Sequence, residues 1–411
     1  MQTIPAMPAN PADLRCVNRA QVIRAFQGGR LCSAGEVAEQ VGLSRQTVMK
    51  AIQFFLRTVL LTSAGKGTST SLGGKRPELF ELTRQRYFLC ITVWPEYLRI
   101  HLATVGGIAV ADLVREEPLP RDPEEAMARI GRQAVQLIRR SGVDPERVKA
   151  VSVSTAGIMD YATGTLRYSS QSPDWGTDVP VADLLRHWFP PDTIFFVENT
   201  GKMTARPFLL EQQLQTKRVA VIFSCWGLSG CLIEAGHILS GSNSLIGEIG
   251  HMTIDPEDTE VCGCGSRGCL ERLVSAERLG ELARRWAGEH PESELAAAEP
   301  LTLPAVFEAS ARGDSLARAL TAYLARHLAV ALRNISLVFD PDVVVFQGDY
   351  AHADDHFRQM LLAHIAQLQY FPAGGPFELR FDRRRLTDMD TAGAVIALSQ
   401  QYFDRPELYE E

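Results

Sequence analysis

The chain has no uninterrupted apolar run near the roughly 18 residues needed to span a bilayer. Its start, Met1-Gln2-Thr3, carries no basic n-region of a secretory signal. Membrane insertion and secretion are therefore not expected, and the cytoplasm is. It also lacks the compositional extremes of disordered or fibrous chains, with 45% hydrophobic and 22% charged residues. A length of 411 residues suggests two or three globular domains.

The formal net charge of −7 argues against nucleic acid only as an average. Residues 1–86 carry a balance of +7, and residues 87–411 carry −14. A basic head joined to an acidic body suggests a nucleic-acid-binding module attached to something else.

The first dozen residues hold three prolines and read as a flexible arm. From Asn18 apolar residues recur at helical steps (Val22, Ile23, Phe26) until Gly28-Gly29 ends the run. Ser33 and Glu36 have capping-box spacing and open a second helix, after which Gly42 suits a left-handed turn. A third helix starts at its N-cap Ser44. Val48, Ala51, Ile52 and Phe55 form its inner stripe, leaving Arg45, Gln46, Thr47 and Lys50 outside. That helix-turn-helix spacing presents the start of the third helix to a major groove, where Arg and Gln can read base edges. Two short apolar segments, Val59–Ser63 and Leu79–Leu82, flank a Gly/Ser/Thr loop and complete a winged helix. Lys66, Lys75 and Arg76 of the wing are expected at phosphates or in the minor groove. Double-stranded DNA is the expected partner.

After Arg86 the period changes to that of strands. Tyr87–Val93, Tyr97–Thr104 and Ile108–Val114 read as an antiparallel meander, followed by a helix at Glu124–Ser141 and a buried strand at Val148–Val153. A second, similar set opens at Arg218–Phe223, and a final helix lies around Ala392–Gln401. The pattern predicts two α/β lobes, with no exact internal sequence repeat.

The most specific motif is Gly247-Glu248-Ile249-Gly250-His251, continuing to Cys262-Gly263-Cys264 and Gly268-Cys269-Leu270-Glu271. His251, Cys262, Cys264 and Cys269 have the spacing H-x10-C-x-C-x4-C. Thiolates and an imidazole suit tetrahedral Zn²⁺, and four protein ligands close the shell, implying a structural metal. A disulfide is disfavoured in a reducing compartment. Cys16, Cys32, Cys90, Cys225 and Cys231 lack metal spacing and read as packed side chains.

G-E-x-G-H followed by C-x-C-G-x-x-G-C-L-E resembles the signature of the ROK family, which groups sugar kinases with repressors. A winged helix ahead of that body is the layout of its repressor branch. The resemblance implies an N-terminal winged helix-turn-helix over 1–86 and a two-lobed actin-like, sugar-kinase-like fold over 87–411. Lobe I would span about 87–204 plus the C-terminal helix at about 388–411, and lobe II about 205–387. It also implies a homodimer or homotetramer on a two-fold symmetric operator.

By the same resemblance, Asn199, Glu248, His251 and Glu271 hold a sugar or sugar phosphate, with His251 serving metal and sugar through its two nitrogens. The family's catalytic Asp is matched by Thr200, whose hydroxyl has no accessible pKa for general-base work. The first phosphate loop is replaced by Ile91-Thr92-Val93-Trp94-Pro95-Glu96, which has no glycine to expose amides and an acid where phosphates would sit. The second is matched by Cys225-Trp226-Gly227-Leu228-Ser229-Gly230-Cys231, and the nucleotide-end G-G by Gln347-Gly348. The expectation is a sugar-responsive repressor of carbohydrate genes without enzymatic activity or ATP. The competing expectations are a sugar kinase with an attached DNA module, and a regulator controlled by a protein partner.

Overall fold

The computed structural model describes residues 11–67, 76–297, 300–368 and 377–405. The wing tip, including Lys75, and most of the expected arm lie outside them. The fold is mixed α/β, in two compact units. The first holds the chain to Met203 and resumes at Asp390; the second is Thr204–Met389.

In the first unit, helices span Pro11–Arg24, Ala34–Val41 and Arg45–Arg57. The first begins seven residues before Asn18, at a proline suited to the first helical position, so the expected arm is at least partly helix. The periodicity missed this turn because Leu14 and Val17 are exposed, and the buried stripe starts only at Val22. Ser33 and Glu36 form a reciprocal capping box, and Gly42 adopts a left-handed φ of 66°. A small antiparallel sheet follows in the order Cys32–Ser33, Glu78–Leu82, Leu61–Lys66.

The larger sheet of this unit has the order Ile194–Asn199, Val148–Thr155, Tyr87–Trp94, Tyr97–Thr104, Ala109–Arg115. Its last three strands form an antiparallel meander, and the first two join Tyr87–Trp94 in parallel. Side chains alternate across the sheet. Leu89, Ile91 and Val93 face one core with Ile130 and Ala134 of the helix Pro123–Arg140. Phe88 and Cys90 belong to another core, with Val48, Ile52 and Phe55 of the head and Leu398, Tyr402 and Phe403 of the C-terminal helix. Arg86 ties the three parts together, donating to the Thr58 carbonyl at 2.9 Å and to the Tyr402 hydroxyl. The head thus shares its core with the body instead of closing at residue 86.

The second unit contains a sheet in the order His237–Ile238, Leu228–Glu234, Val219–Ser224, Val343–Gly348, Glu378–Asp382. Its pairing is again an antiparallel meander extended by two parallel strands. The two units therefore repeat one topology that their sequences do not repeat. Leu320, Leu324 and Leu328 of the helix Ser315–Phe339 pack in one core with Val344 and Phe346. The final helix runs Leu386–Phe403, longer than expected at both ends, and continues from the second unit into the first. Cys16 is exposed and Cys225 half-buried, so neither is a fully packed thiol.

Candidate functional site

The third helix is positioned by its stripe: Val48, Ala51, Ile52 and Phe55 are all buried. Its N-cap, Ser44, accepts from the Thr47 amide at 3.1 Å and lies 2.9 Å from the Thr47 hydroxyl. Ser44 and Thr47 are thus occupied in forming the helix start. Arg45, Gln46 and Lys50 are exposed on its opening turns, as are Lys66 and Arg76 on the hairpin. Among the described residues none of these four cations forms an ion pair. Lys75 lies outside the described residues.

In the second unit, backbone shape gathers the metal candidates. Gly268 has a φ of 69°, and a Cβ there would sit 1.9 Å from the Asp255 carbonyl oxygen, so only glycine allows this approach. The ligand atoms of His251, Cys262, Cys264 and Cys269 all lie within 4.8 Å of one another. Cys262 Sγ is 3.7 Å from His251 Nδ1, and Cys264 Sγ is 3.6 Å from Cys269 Sγ. Tetrahedral Zn²⁺ with bonds of about 2.0–2.3 Å needs edges of roughly 3.5–3.8 Å, so the donor set fits. Burial and the neighbouring thiols push Cys269 up to about 12, a penalty that a bound cation reverses.

With Nδ1 toward the thiols, His251 Nε2 lies 4.0 Å from the Glu248 carboxylate. Glu271 accepts from the Leu228 amide at 2.7 Å. Gly250 makes this packing possible, since a Cβ there would fall 2.1 Å from the Leu228 carbonyl oxygen. Glu248, His251 and Glu271 are thus organised within one unit.

Asn199 belongs to the first unit, and its amide is largely committed. Its Oδ1 accepts from the Gly201 amide at 2.8 Å, and its Nδ2 donates to the Gly157 carbonyl at 2.9 Å. Thr200 lies 3.2 Å from the Ser154 hydroxyl, and Ser154 and Thr92 both donate to Asp390. Asp390 is fully buried, and that burial pushes its carboxyl up to about 6 against the two hydroxyls that favour ionisation. The motif reading missed Asp390, because its two partners come from two distant segments. It also missed Lys202, which is buried three residues after Asn199. The lysine itself was visible in the sequence, but its burial was not.

The two segments expected at the phosphate loops are tight turns. Trp94 pairs directly with Tyr97, so Pro95-Glu96 is a closed two-residue hairpin turn. The Trp94 and Tyr97 rings lie 5.2 Å apart over it. At the second loop Ser224 pairs with Leu228, and the Cys225 amide donates to the Gly227 carbonyl at 3.1 Å. Gln347 is fully buried beside Gly348.

Residues 106–395 match the ROK family. The xylose repressor of Caldicellulosiruptor bescii is 20% identical over 94% of this chain and 96% of its own length. The transcriptional dual regulator NagC of Escherichia coli is 25% identical over 82% of each chain. A glucokinase of Halalkalibacterium halodurans is 26% identical, over 68% of this chain and 85% of its own. Among solved structures, a ROK family transcriptional regulator homologous to the Escherichia coli MLC protein aligns with a TM-score of 0.79 and 20% identity. That alignment covers 97% of this chain and all of the other. A Streptomyces griseus ROK glucokinase aligns at 0.61 and 21% identity, over 76% of this chain and 98% of its own.

Proposed function

The chain belongs to the ROK family, and on that premise we propose that it is a sugar-responsive, DNA-binding transcriptional repressor whose kinase-like body senses without catalysing. The observation that carries this reading is the head. Its third helix is capped and buried along one stripe, while Arg45, Gln46 and Lys50 are exposed on its opening turns. Such a helix start enters a major groove, with the hairpin's Lys66 and Arg76 at the backbone, as in a winged helix-turn-helix. The extents of the matches support it: the xylose repressor matches 94% of the chain, the glucokinase only 68%. A homodimer or homotetramer would place two heads on a two-fold symmetric duplex.

Structural zinc at His251, Cys262, Cys264 and Cys269 would fix the loop that carries Glu271 and the orientation of His251. Glu248, His251, Glu271 and Asn199 are the residues assigned to the sugar. Asn199 keeps one amide hydrogen for that role. The closed Pro95-Glu96 turn and Thr200 support the absence of phosphoryl transfer. The purified chain is expected to show no sugar-dependent ATP hydrolysis; hydrolysis abolished by Glu248→Ala would favour the kinase reading.

The DNA contacts are tested by anisotropy on duplexes selected by the full chain. Gln46→Ala is expected to relax base preference at one position, at a cost of about 1–3 kcal/mol. Lys66→Ala should weaken all sequences alike and lower the salt slope by about one. No measurable affinity for any duplex would end this reading.

A further inference from the structure

One face of the first unit departs from the charge of the rest. Residues 87–411 sum to −14, yet a groove of about 730 Å³ is lined there by Arg129, Arg132, Arg139 and Arg140 and, among the described residues, by no carboxylate. The outer side of the helix Pro123–Arg140 forms one wall, and His187 and Trp188 form the other. Trp188 lies directly against that helix, since a Cβ at Gly131 would fall 2.4 Å from its ring. Arg129 is paired with Glu117. Arg132, Arg139 and Arg140 are exposed, and among the described residues their guanidiniums form no ion pair or hydrogen bond. Other exposed arginines are shared between acids. Arg167 bridges Asp160 and Asp178, Arg218 bridges Glu234 and Asp340, and Arg384 bridges Glu211 and Asp382.

Spacing and position narrow the occupant. Arg132, Val135 and Arg139 recur at i, i+3 and i+7, so two arginines leave the helix about 10 Å apart with an apolar side chain between them. A compact anion meets one end of that row. An extended segment with acids on either side of an apolar residue meets both ends and covers Val135 and the indole. The helix packs Ile130 and Ala134 on the sheet face of Leu89, Ile91 and Val93, whereas the head packs on the opposite face, at Phe88 and Cys90. The sheet thus stands between the groove and the third helix, and a duplex read by the head would not enter the groove. The acidic remainder of the body does not cancel the arginines, because charges beyond about 8 Å are screened at physiological salt.

We propose that this groove docks an acidic segment of a protein partner, with carboxylates on Arg132 and Arg139 and an apolar residue against Val135 and Trp188. Guanidinium forks accept carboxylates in pairs of parallel hydrogen bonds, the chemistry by which arginine clusters recognise acidic motifs. The site is independent of the sugar-binding residues and of the DNA-reading helix.

Anisotropy of a fluorescein-labelled peptide, Glu-Leu-Glu-Tyr-Glu, titrated with the full chain tests it. The acidic peptide is expected to bind, more weakly as salt rises, and its Gln-Leu-Gln-Tyr-Gln counterpart to bind far less. The double variant Arg132→Glu, Arg139→Glu should weaken the peptide by roughly 10- to 100-fold, the scale of one hydrogen bond between charged groups. Both side chains are exposed, so the variant's melting temperature should stay near that of the native chain. Arg132→Lys with Arg139→Lys keeps the charge without the fork and should retain part of the affinity. Arg45→Ala and Lys66→Ala in the head should leave the peptide's affinity unchanged, and saturating duplex should not displace it. Absence of binding at millimolar peptide, equal binding of the glutamine peptide, or indifference to the charge reversal would overturn the proposal. Displacement by duplex would assign the peptide to the head instead. Vesicles of phosphatidylglycerol that bind through the same arginines while the peptide does not would make the face a lipid contact, and would overturn it too.

Discussion

Cys269→Ser should release the bound metal and destabilise the second unit by more than about 4 kcal/mol, the range reached when a structural metal is lost. The reason lies in the donors, because the backbone bridges and ion pairs that also hold the loop do not relieve their crowding. Cys262 and Cys269 are buried, yet their neighbours are mainly each other, His251 and backbone. Three thiols brought this close repel as thiolates unless a cation sits among them. Removing one sulfur opens the shell and leaves the others in a site shaped for an ion. The effect should spread locally, since Glu271 follows Cys269 by two residues and holds the Leu228 amide. Amide exchange should therefore rise from Ile249 through Leu273 and at Leu228. Elemental analysis should find about one zinc per native chain and none in the variant. A native chain without zinc, whose melting is unmoved by chelator, would refute the assignment.

Tyr402→Ala should cost about 3–5 kcal/mol and loosen the N-terminal head, although Tyr402 lies on the C-terminal helix. Its side chain is 1% exposed and packs edge-on against Phe88 with ring centres 5.8 Å apart. Its hydroxyl receives the Arg86 guanidinium, which also holds the Thr58 carbonyl just after the third helix. Truncation opens a cavity in the shared core and strips Arg86 of one partner. Arg24 and Asp404 form a second link between the first helix and the chain's end, but at a largely exposed site that contributes little. Exchange protection should fall together in Arg45–Arg57 and in the C-terminal helix. Tyr402→Phe, which keeps the ring, should lose far less. If the head's protection is unchanged in Tyr402→Ala, the head is an independent module.

What could be read in advance was what local chemistry decides. The Ser33–Glu36 box, the left-handed Gly42 and the buried stripe from Val48 to Phe55 each depend on residues three or four apart. The grouping of His251 with three cysteines was legible for the same reason, because three of its four donors fall within eight residues. What escaped depends on distant segments meeting. The head's shared core needs the C-terminal helix, and the Asp390 cluster needs Thr92, Ser154 and Thr200. Net charge misled locally as well. The acidic body carries an open groove of about 730 Å³ lined by Arg129, Arg132, Arg139, Arg140, His187 and Trp188. Summed charge says nothing of such a face. Nor did the motif at Asn199 reveal that its amide is mostly spent on backbone, or that the lysine beside it is buried.

The central claim is that one chain reads DNA and that a sugar ligand changes the reading. It is tested most directly by operator affinity, measured by anisotropy for the full chain on its selected duplex, with and without the sugar that most stabilises it in a thermal-shift panel of sugars and sugar phosphates. A ligand can act only through its differential affinity for the DNA-bound and free forms, so a coupling of about 1–3 kcal/mol is expected, a 5- to 150-fold loss of affinity. Glu248→Ala should remove that response while leaving ligand-free DNA binding unchanged. Affinity that stays the same at saturating ligand would contradict the account.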